Sequence, residues 1–104
     1  MNSNIVLIGF MGCGKSSIGR RLAARLGYDF LDSDDLITSR TGRSITDLFA
    51  EEGEERFRDR ETAELRELVG SQRIVLATGG GAILREQNRD LLKRIGTVVW
   101  RSEE

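Results

Sequence analysis

Between an apolar run, Ile5 to Ile8, and a stretch of helical spacing, the chain places "GFMGCGKSS" at residues 9–17. No other feature restricts the fold as much. Ile5, Val6, Leu7 and Ile8 form a continuous apolar run, which is the pattern of a strand buried on both faces and hence of a parallel sheet covered by helices. Such a strand needs a turn at its end. Gly9, Gly12 and Gly14 can adopt positive φ there, and their N–H groups can converge on a concavity where an anion accepts several hydrogen bonds.

The spacing selects the anion. Gly9, four further residues, then Gly14, Lys15 and Ser16 fit G-x-x-x-x-G-K-S/T, the phosphate-binding P-loop, in which the lysine reaches β- and γ-phosphates and the hydroxyl meets magnesium. A glycine-rich turn with an exposed lysine is the plainer alternative. Context favours the phosphate loop: Ile18, Leu22, Ala23 and Leu26 follow at helical spacing, Arg20, Arg21 and Arg25 take the other face, and Gly27 offers a stop. Gly12, Cys13, Gly14, Lys15, Ser16 and Ser17 are therefore the nucleotide-binding candidates. Cys13 is either a small residue suited to a tight turn or a thiol activated beside a helix N-terminus; the first reading is favoured, since the chain has no histidine to act as its partner base.

The 104 residues make one domain, expected to bury about two-thirds of its unfolded surface. Sixteen basic against seventeen acidic residues leave a net charge of -1, which recommends neither a nucleic acid nor a membrane surface as partner. No apolar run approaches the length of a membrane span, the N-terminus lacks the layout of a signal peptide, and a single cysteine permits no internal disulfide. The cytoplasm is the expected compartment. The absence of histidine excludes histidine bases and histidine metal sites.

Further along, Tyr28 to Leu31 reads as a second strand ending at Asp32, Ser33 and Asp34, and a helix from about Asp35 to Arg40 stops at Gly42. Ser44 with Asp47 three residues on resembles a helix N-cap, opening a short helix through Phe49 and Ala50. A longer helix from about Glu54 to Val69 ends at Gly70. Ile74 to Ala77 is a third buried strand leading into Thr78, Gly79, Gly80 and Gly81. Leu84, Leu91, Leu92 and Ile95 mark a last helix, and Val98 to Trp100 a fourth strand, with Trp100 read as packed under a helix rather than stacked on a ligand. This β, α alternation predicts a three-layer α/β fold with a parallel sheet of about four strands. Ligands in such folds sit beyond the carboxyl ends of the strands, so the phosphate loop, the acidic pair Asp32 and Asp34, and the triple glycine should share one rim.

Beside a bound triphosphate, one carboxylate of the acidic pair can hold magnesium or its waters and the other can receive a proton from an attacking hydroxyl. Alone, the two could be solvated turn residues. In the helix of residues 54–69, Phe57, Arg58 and Glu61 share a face, so Glu61 can fix the Arg58 guanidinium; an ordinary surface ion pair is the alternative.

"GFMGCGKSSIGRRLA", "FLDSDD", "FRDRE" and "TGGG", in that order, resemble shikimate kinase, a small P-loop enzyme of the nucleoside-monophosphate-kinase type. The likeness runs across essentially all 104 residues. It implies ATP-dependent phosphorylation of the 3-hydroxyl of shikimate with Mg2+, a step of aromatic amino-acid precursor synthesis. In that resemblance Lys15 and Ser16 serve the ATP phosphates and magnesium, and Asp32 supports the metal through water. Asp34 binds the ring hydroxyls and acts as base, Arg58 pairs with the substrate carboxylate, and Glu61 orients Arg58. Gly79, Gly80 and Gly81 bring N–H groups against the substrate, and Phe49 and Phe57 wall the pocket. The family's pattern continues past the fourth strand into a lid, a fifth strand and an adenine-binding loop, whereas this chain reads "RSEE" after Trp100. The expectation is an N-terminal portion with activity reduced or lost, and with an apolar edge strand, Val98 to Trp100, open to self-association. A non-catalytic nucleotide-binding module and another small-molecule kinase of the same fold are the alternatives.

Overall fold

The structure of the protein, a computed structural model, describes residues 3–8 and 14–100. Along the chain come β1 (Ile5–Ile8), α1 (Gly14–Leu26), β2 (Asp29–Asp32), α2 (Ser33–Thr41), α3 (Ile45–Leu68), β3 (Ile74–Ala77), a 3₁₀ helix (Gly80–Leu84), α4 (Glu86–Ile95) and β4 (Thr97–Trp100). All strand pairs are parallel, in the order β2-β3-β1-β4, with Ile5 level with Val75 and Thr97, and Asp32 level with Ala77. The two central strands, β1 and β3, are buried on both faces, and their apolar runs follow from that.

Alternate side chains of those strands serve two cores. Val6, Ile8, Ile74 and Leu76 pack with Leu65 of α3 and with Leu92 and Ile95 of α4. On the opposite face Leu7 and Val75 meet Ala23 of α1. Each fully buried Val, Leu or Ile here contributes about 1.5 to 3 kcal/mol relative to exposure. A third cluster, Ile37, Leu48 and Phe57, joins α2 to α3. The three-layer expectation is met.

Several local expectations need correction. Helix α1 buries the Gly19–Ala23 face, whereas Ile18 and Leu26 are 41% and 40% exposed. The reason is Phe30 of β2: a Cβ at Gly19 would overlap its ring, so the helix seats on its bare glycine, with Arg20 stacked on the same ring at 5.0 Å. Helix α2 starts at Ser33, two residues early, because the Asp32 carboxylate caps it, Oδ1 accepting from the N–H groups of Asp34 (2.9 Å) and Asp35 (3.3 Å). Leu84 belongs to the 3₁₀ helix and is 67% exposed; α4 begins at Glu86 and buries Asn88, Leu92 and Ile95.

The break expected between Ala50 and Glu54 is a kink at Gly53, φ 85° and ψ 167°, a conformation closed to side-chain-bearing residues at ordinary cost. Arg60 bridges it with two hydrogen bonds to Glu52, 2.9 and 2.8 Å. Ser44 caps the helix as its spacing predicts, accepting from the Asp47 N–H at 3.1 Å.

The sheet end remote from the glycine turns is closed by Asn4, which is fully buried. Its amide donates to the carbonyls of Ser71 (2.6 Å) and Ile95 (2.9 Å) and accepts from the Ile74 N–H (2.9 Å), while its own carbonyl accepts from Thr97. One side chain thus locks β1, β3 and α4 together. Replacing it strands buried backbone groups, so Asn4→Ala is expected to lower unfolding stability by about 2 to 4 kcal/mol. Urea denaturation of parent and variant measures this; a loss within experimental error would contradict the locking role.

Candidate functional site

Three strand ends meet on one rim. β1 leads toward α1, which begins at Gly14; β2 ends at Asp32; and beyond β3 the Thr78 N–H adds a bond to the Leu7 carbonyl (3.2 Å) before the glycine run. Gly9, Gly12 and Cys13 lie outside the described residues, as do the side chains of Lys15 and Ser16. Lys15 and Ser16 stand in the first turn of α1, whose unpaired N–H groups and positive dipole end favour an anion. Ser17, in the same turn, is exposed.

The acidic pair splits by burial. Asp32 is 8% exposed and committed to the α2 cap, while Asp34, in the first turn of that helix, is half-buried with its carboxylate against Gly79. A Cβ at Gly79 would lie 3.5 Å from Asp34 Oδ2. Next along the glycine run, a Cβ at Gly81 would overlap the Arg58 guanidinium outright. A side chain there would push the guanidinium out of this position, and Gly80 opens the 3₁₀ helix between the two. Asp34, Gly79–Gly81 and Arg58 are therefore brought together from α2, the β3 turn and α3.

Arg58 is held on several sides. Its Nη1 donates to Glu61 Oε1 at 2.9 Å, its Nη2 pairs with Glu54 at 3.4 Å, and its Cζ stands 5.4 Å from the Phe57 ring centre and 5.8 Å from that of Phe49. The two rings contact each other at 4.7 Å between centres, tilted by 31°. Phe57 is itself a core residue, 3% exposed, and Phe49 is half-buried beside it. Contact of this kind contributes about 0.5 to 2 kcal/mol to holding a cation. Glu61 is 1% exposed, so the pair is not an ordinary surface ion pair. Arg58 Nε is buried with no hydrogen-bond partner among the described residues. A guanidinium so fixed, with a donor to spare, suits a planar carboxylate ligand.

Burial raises the Glu61 carboxyl above its ordinary 4.5; the Arg58 hydrogen bond and charge work against this, Asp34 adds to it and Arg85 opposes it. For Arg58, burial works against the charge, but the hydrogen bond and charge of Glu61, with Glu54 behind them, prevail and hold the guanidinium above its ordinary value. Glu54 escaped the sequence reading, although its place one helical turn before Arg58 is itself a signal for pairing.

Two hydroxyls also escaped notice. Ser33 Oγ and Thr78 Oγ1, each on the first residue past its strand, are buried and without partners among the described residues. The register that sets Asp32 level with Ala77 puts these residues at adjoining strand ends, and hydroxyl and carboxylate oxygens are the donor chemistry that Mg2+ takes beside waters and phosphates.

A parallel sheet in this order, with a phosphate loop after β1 and paired acidic and glycine motifs after β2 and β3, defines a P-loop α/β protein of the small-kinase type. The family model for shikimate kinase matches residues 11–102, and the chain belongs to that family. It is 60% identical over 98 residues to a shikimate kinase of Thioalkalivibrio sulfidiphilus, covering 94% of this chain and 52% of the relative. It is 50% identical over 101 residues to one of Symbiobacterium thermophilum, covering 97% and 58%. Among solved structures, the shikimate kinase of Acinetobacter baumannii in complex with shikimate superposes with a TM-score of 0.90 at 52% identity, over 95% of this chain and 55% of that one. That of Aquifex aeolicus gives 0.89 at 37% identity, over 97% and 60%. The chain spans about half the length of the curated relatives it matches. Among the described residues no helix is long and apolar enough to cross a membrane.

The raised Glu61 carboxyl has a measurable consequence. A folded state that holds this proton more tightly than the unfolded chain gains stability that is complete below 4.5 and is lost as pH rises through the raised folded value. Glu61→Gln removes that slope and adds a pH-independent offset from the altered Arg58 contact. The stability difference, parent minus variant, is expected to fall as pH rises from about 4 to about 7 in urea denaturation. A difference that stays constant or grows would show that Glu61 does not titrate above its ordinary value.

Proposed function

We propose that the whole protein transfers the γ-phosphoryl group of ATP to the 3-hydroxyl of shikimate, with this chain supplying the phosphate loop and the acceptor-binding half of the site. The observation that carries the reading is Arg58, fixed by buried Glu61 at 2.9 Å and packed on Gly81, with Asp34 against Gly79 in the same cluster. Arg58 receives the substrate carboxylate, and Asp34 receives its ring hydroxyls. A relative solved in complex with shikimate, 52% identical to this chain, supports that choice of acceptor.

Phosphoryl transfer asks the protein mainly to position reactants and to stabilise charge. N–H groups of Gly12, Cys13, Gly14, Ser16 and Ser17 cradle the ATP phosphates, and Lys15 follows the β- and γ-phosphate charge. Ser16 directly and Asp32 through water are the residues that would hold Mg2+, which when bound neutralises phosphate charge. Asp34 orients the attacking hydroxyl and takes its proton as the new P–O bond forms and the bond from the γ-phosphorus to the bridging oxygen breaks, with ADP leaving. The N–H groups of Gly79, Gly80 and Gly81 close on the acceptor, while Glu61 keeps the guanidinium in the orientation the carboxylate needs. Phe49 and Phe57 back the guanidinium with apolar surface.

Calorimetric titration with shikimate and with MgATP, separately, tests this. Arg58→Ala is expected to weaken shikimate binding by about 2 to 5 kcal/mol and to leave MgATP nearly unchanged, with Arg58→Lys failing as well for want of a bidentate fork. Lys15→Ala is expected to give the opposite pattern. Equal losses for both ligands in both variants would remove the assignment.

The sheet edge supports a second element of the proposal. Among the described residues β4 pairs with β1 alone, and we infer that this chain by itself associates with a second copy along the outer edge of β4. Light scattering over a concentration series is expected to show the mean mass rising; a constant monomer mass would overturn this part.

A further inference from the structure

The glycine run can serve Arg58 only if its distance from α3 is held, and the Arg85 side chain crosses that gap. Arg85 sits between the 3₁₀ helix and α4, and its carbonyl accepts from the N–H groups of Asn88 (3.1 Å) and Arg89 (3.2 Å), which opens α4. Its guanidinium reaches back to α3. There Nη1 lies 2.9 Å from Asp59 Oδ1 and 3.4 Å from Thr62 Oγ1, and Nη2 lies 3.6 Å from Glu55 Oε2 and 3.5 Å from the Glu55 carbonyl. Glu55, Asp59 and Thr62 form one face of α3 at successive turns.

Thr62 is the inner member of that face, buried, with its hydroxyl 3.0 Å from the Arg58 carbonyl and 2.7 Å from Asn88 Oδ1. Arg85 thus ends one hydrogen bond away from the backbone of Arg58. On the other side Arg89 donates to the Ile83 carbonyl at 2.6 Å, so the 3₁₀ helix is tied to α4 as well. Gly81 lies so close to the Arg58 guanidinium that a Cβ would overlap it, and a drift of the 3₁₀ helix changes that contact directly.

We propose that Arg85 is a positioning residue for the acceptor substrate: by clamping the end of the 3₁₀ helix to α3, it fixes Gly79–Gly81 against Arg58. This rests on the reading that Arg58 and the glycines bind a carboxylate-bearing substrate. Asp59 and Glu55 are 61% and 90% exposed, and exposed pairs contribute about 0 to 1 kcal/mol to stability. A purely structural role therefore predicts a small stability change and no preference between ligands.

Calorimetric titration of the full chain with shikimate and with MgATP, combined with amide hydrogen exchange over residues 79–84, separates the two. Arg85→Ala is expected to weaken shikimate binding about 3- to 30-fold, to leave MgATP binding unchanged and to speed exchange in that segment. Arg85→Lys, which can meet one carboxylate but cannot span the face, is expected to recover part of the loss. Asp59→Asn, at an exposed position, is expected to show a smaller loss of the same kind. Undiminished shikimate affinity in Arg85→Ala and Asp59→Asn, with Arg58→Ala still abolishing binding, would overturn the positioning role alone. Indifference to Arg58→Ala would overturn the substrate reading and this inference with it. Equal losses for shikimate and MgATP would mark Arg85 as merely structural and also overturn the proposal.

Discussion

The site depends on β1, β2 and β3 running parallel and in register, because only then do their carboxyl ends open on the same rim. The register sets Asp32 level with Ala77, so the acidic turn and the glycine turn leave the sheet together, and the phosphate loop leaves from the neighbouring strand. Parallel pairing forces a helical crossover after each strand, and each crossover here carries candidate site residues: α1 has Lys15 and Ser16 in its first turn, α2 carries Asp34, and α3 carries Arg58 and Glu61. Asn4 supplies the complementary constraint at the other end, since a sheet of four-residue strands has few ladder bonds to resist slipping.

Within that frame the costly element is a buried charge pair. Taking Glu61 out of water disfavours its charge, and the raised carboxyl is the direct sign of it. A hydrophobic pair would fill the same volume at lower cost. The cluster instead spends stability on orientation: Glu61, Glu54, two aromatic rings and the bare Cα of Gly81 leave the guanidinium little freedom, so the proposed carboxylate ligand would find little entropy left to be lost. Arg85 and Thr62 carry the same logic to the next layer, connecting the glycine segment to the helix that presents Arg58.

Where the sequence reading succeeded, local rules and tertiary packing agreed. The uninterrupted apolar runs of β1 and β3, the Ser44 cap, the break near Gly53 and the i,i+3 relation of Arg58 to Glu61 are all short-range patterns. Where it missed, the deciding partner lay far away in sequence. Periodicity put Ile18 and Leu26 on the buried face of α1, but Phe30 selected the side that carries Gly19. Leu84 looks like helix core by spacing, yet the 3₁₀ helix that follows the glycines turns it to solvent. Asp32 reads as a site residue, and its second role as the cap that pulls α2 two residues forward emerges only with the helix in place.

The sequence by itself determined the chemistry available: a phosphate loop behind a buried strand, two carboxylates, an arginine with a carboxylate one turn on, and a glycine run, in an order that marks the family. These are legible because each is a local pattern whose physical cause, φ freedom, helical spacing or alternating burial, acts over a few residues. Only the tertiary structure decided that the Arg58 guanidinium occupies the space a side chain at Gly81 would take, that Glu61 is buried and not a surface ion, and that Arg85 spans from the end of the 3₁₀ helix to α3. Those outcomes turn on distances between segments some 20 residues apart or more. Such distances are set by how whole helices seat on a sheet, which no window of the sequence contains.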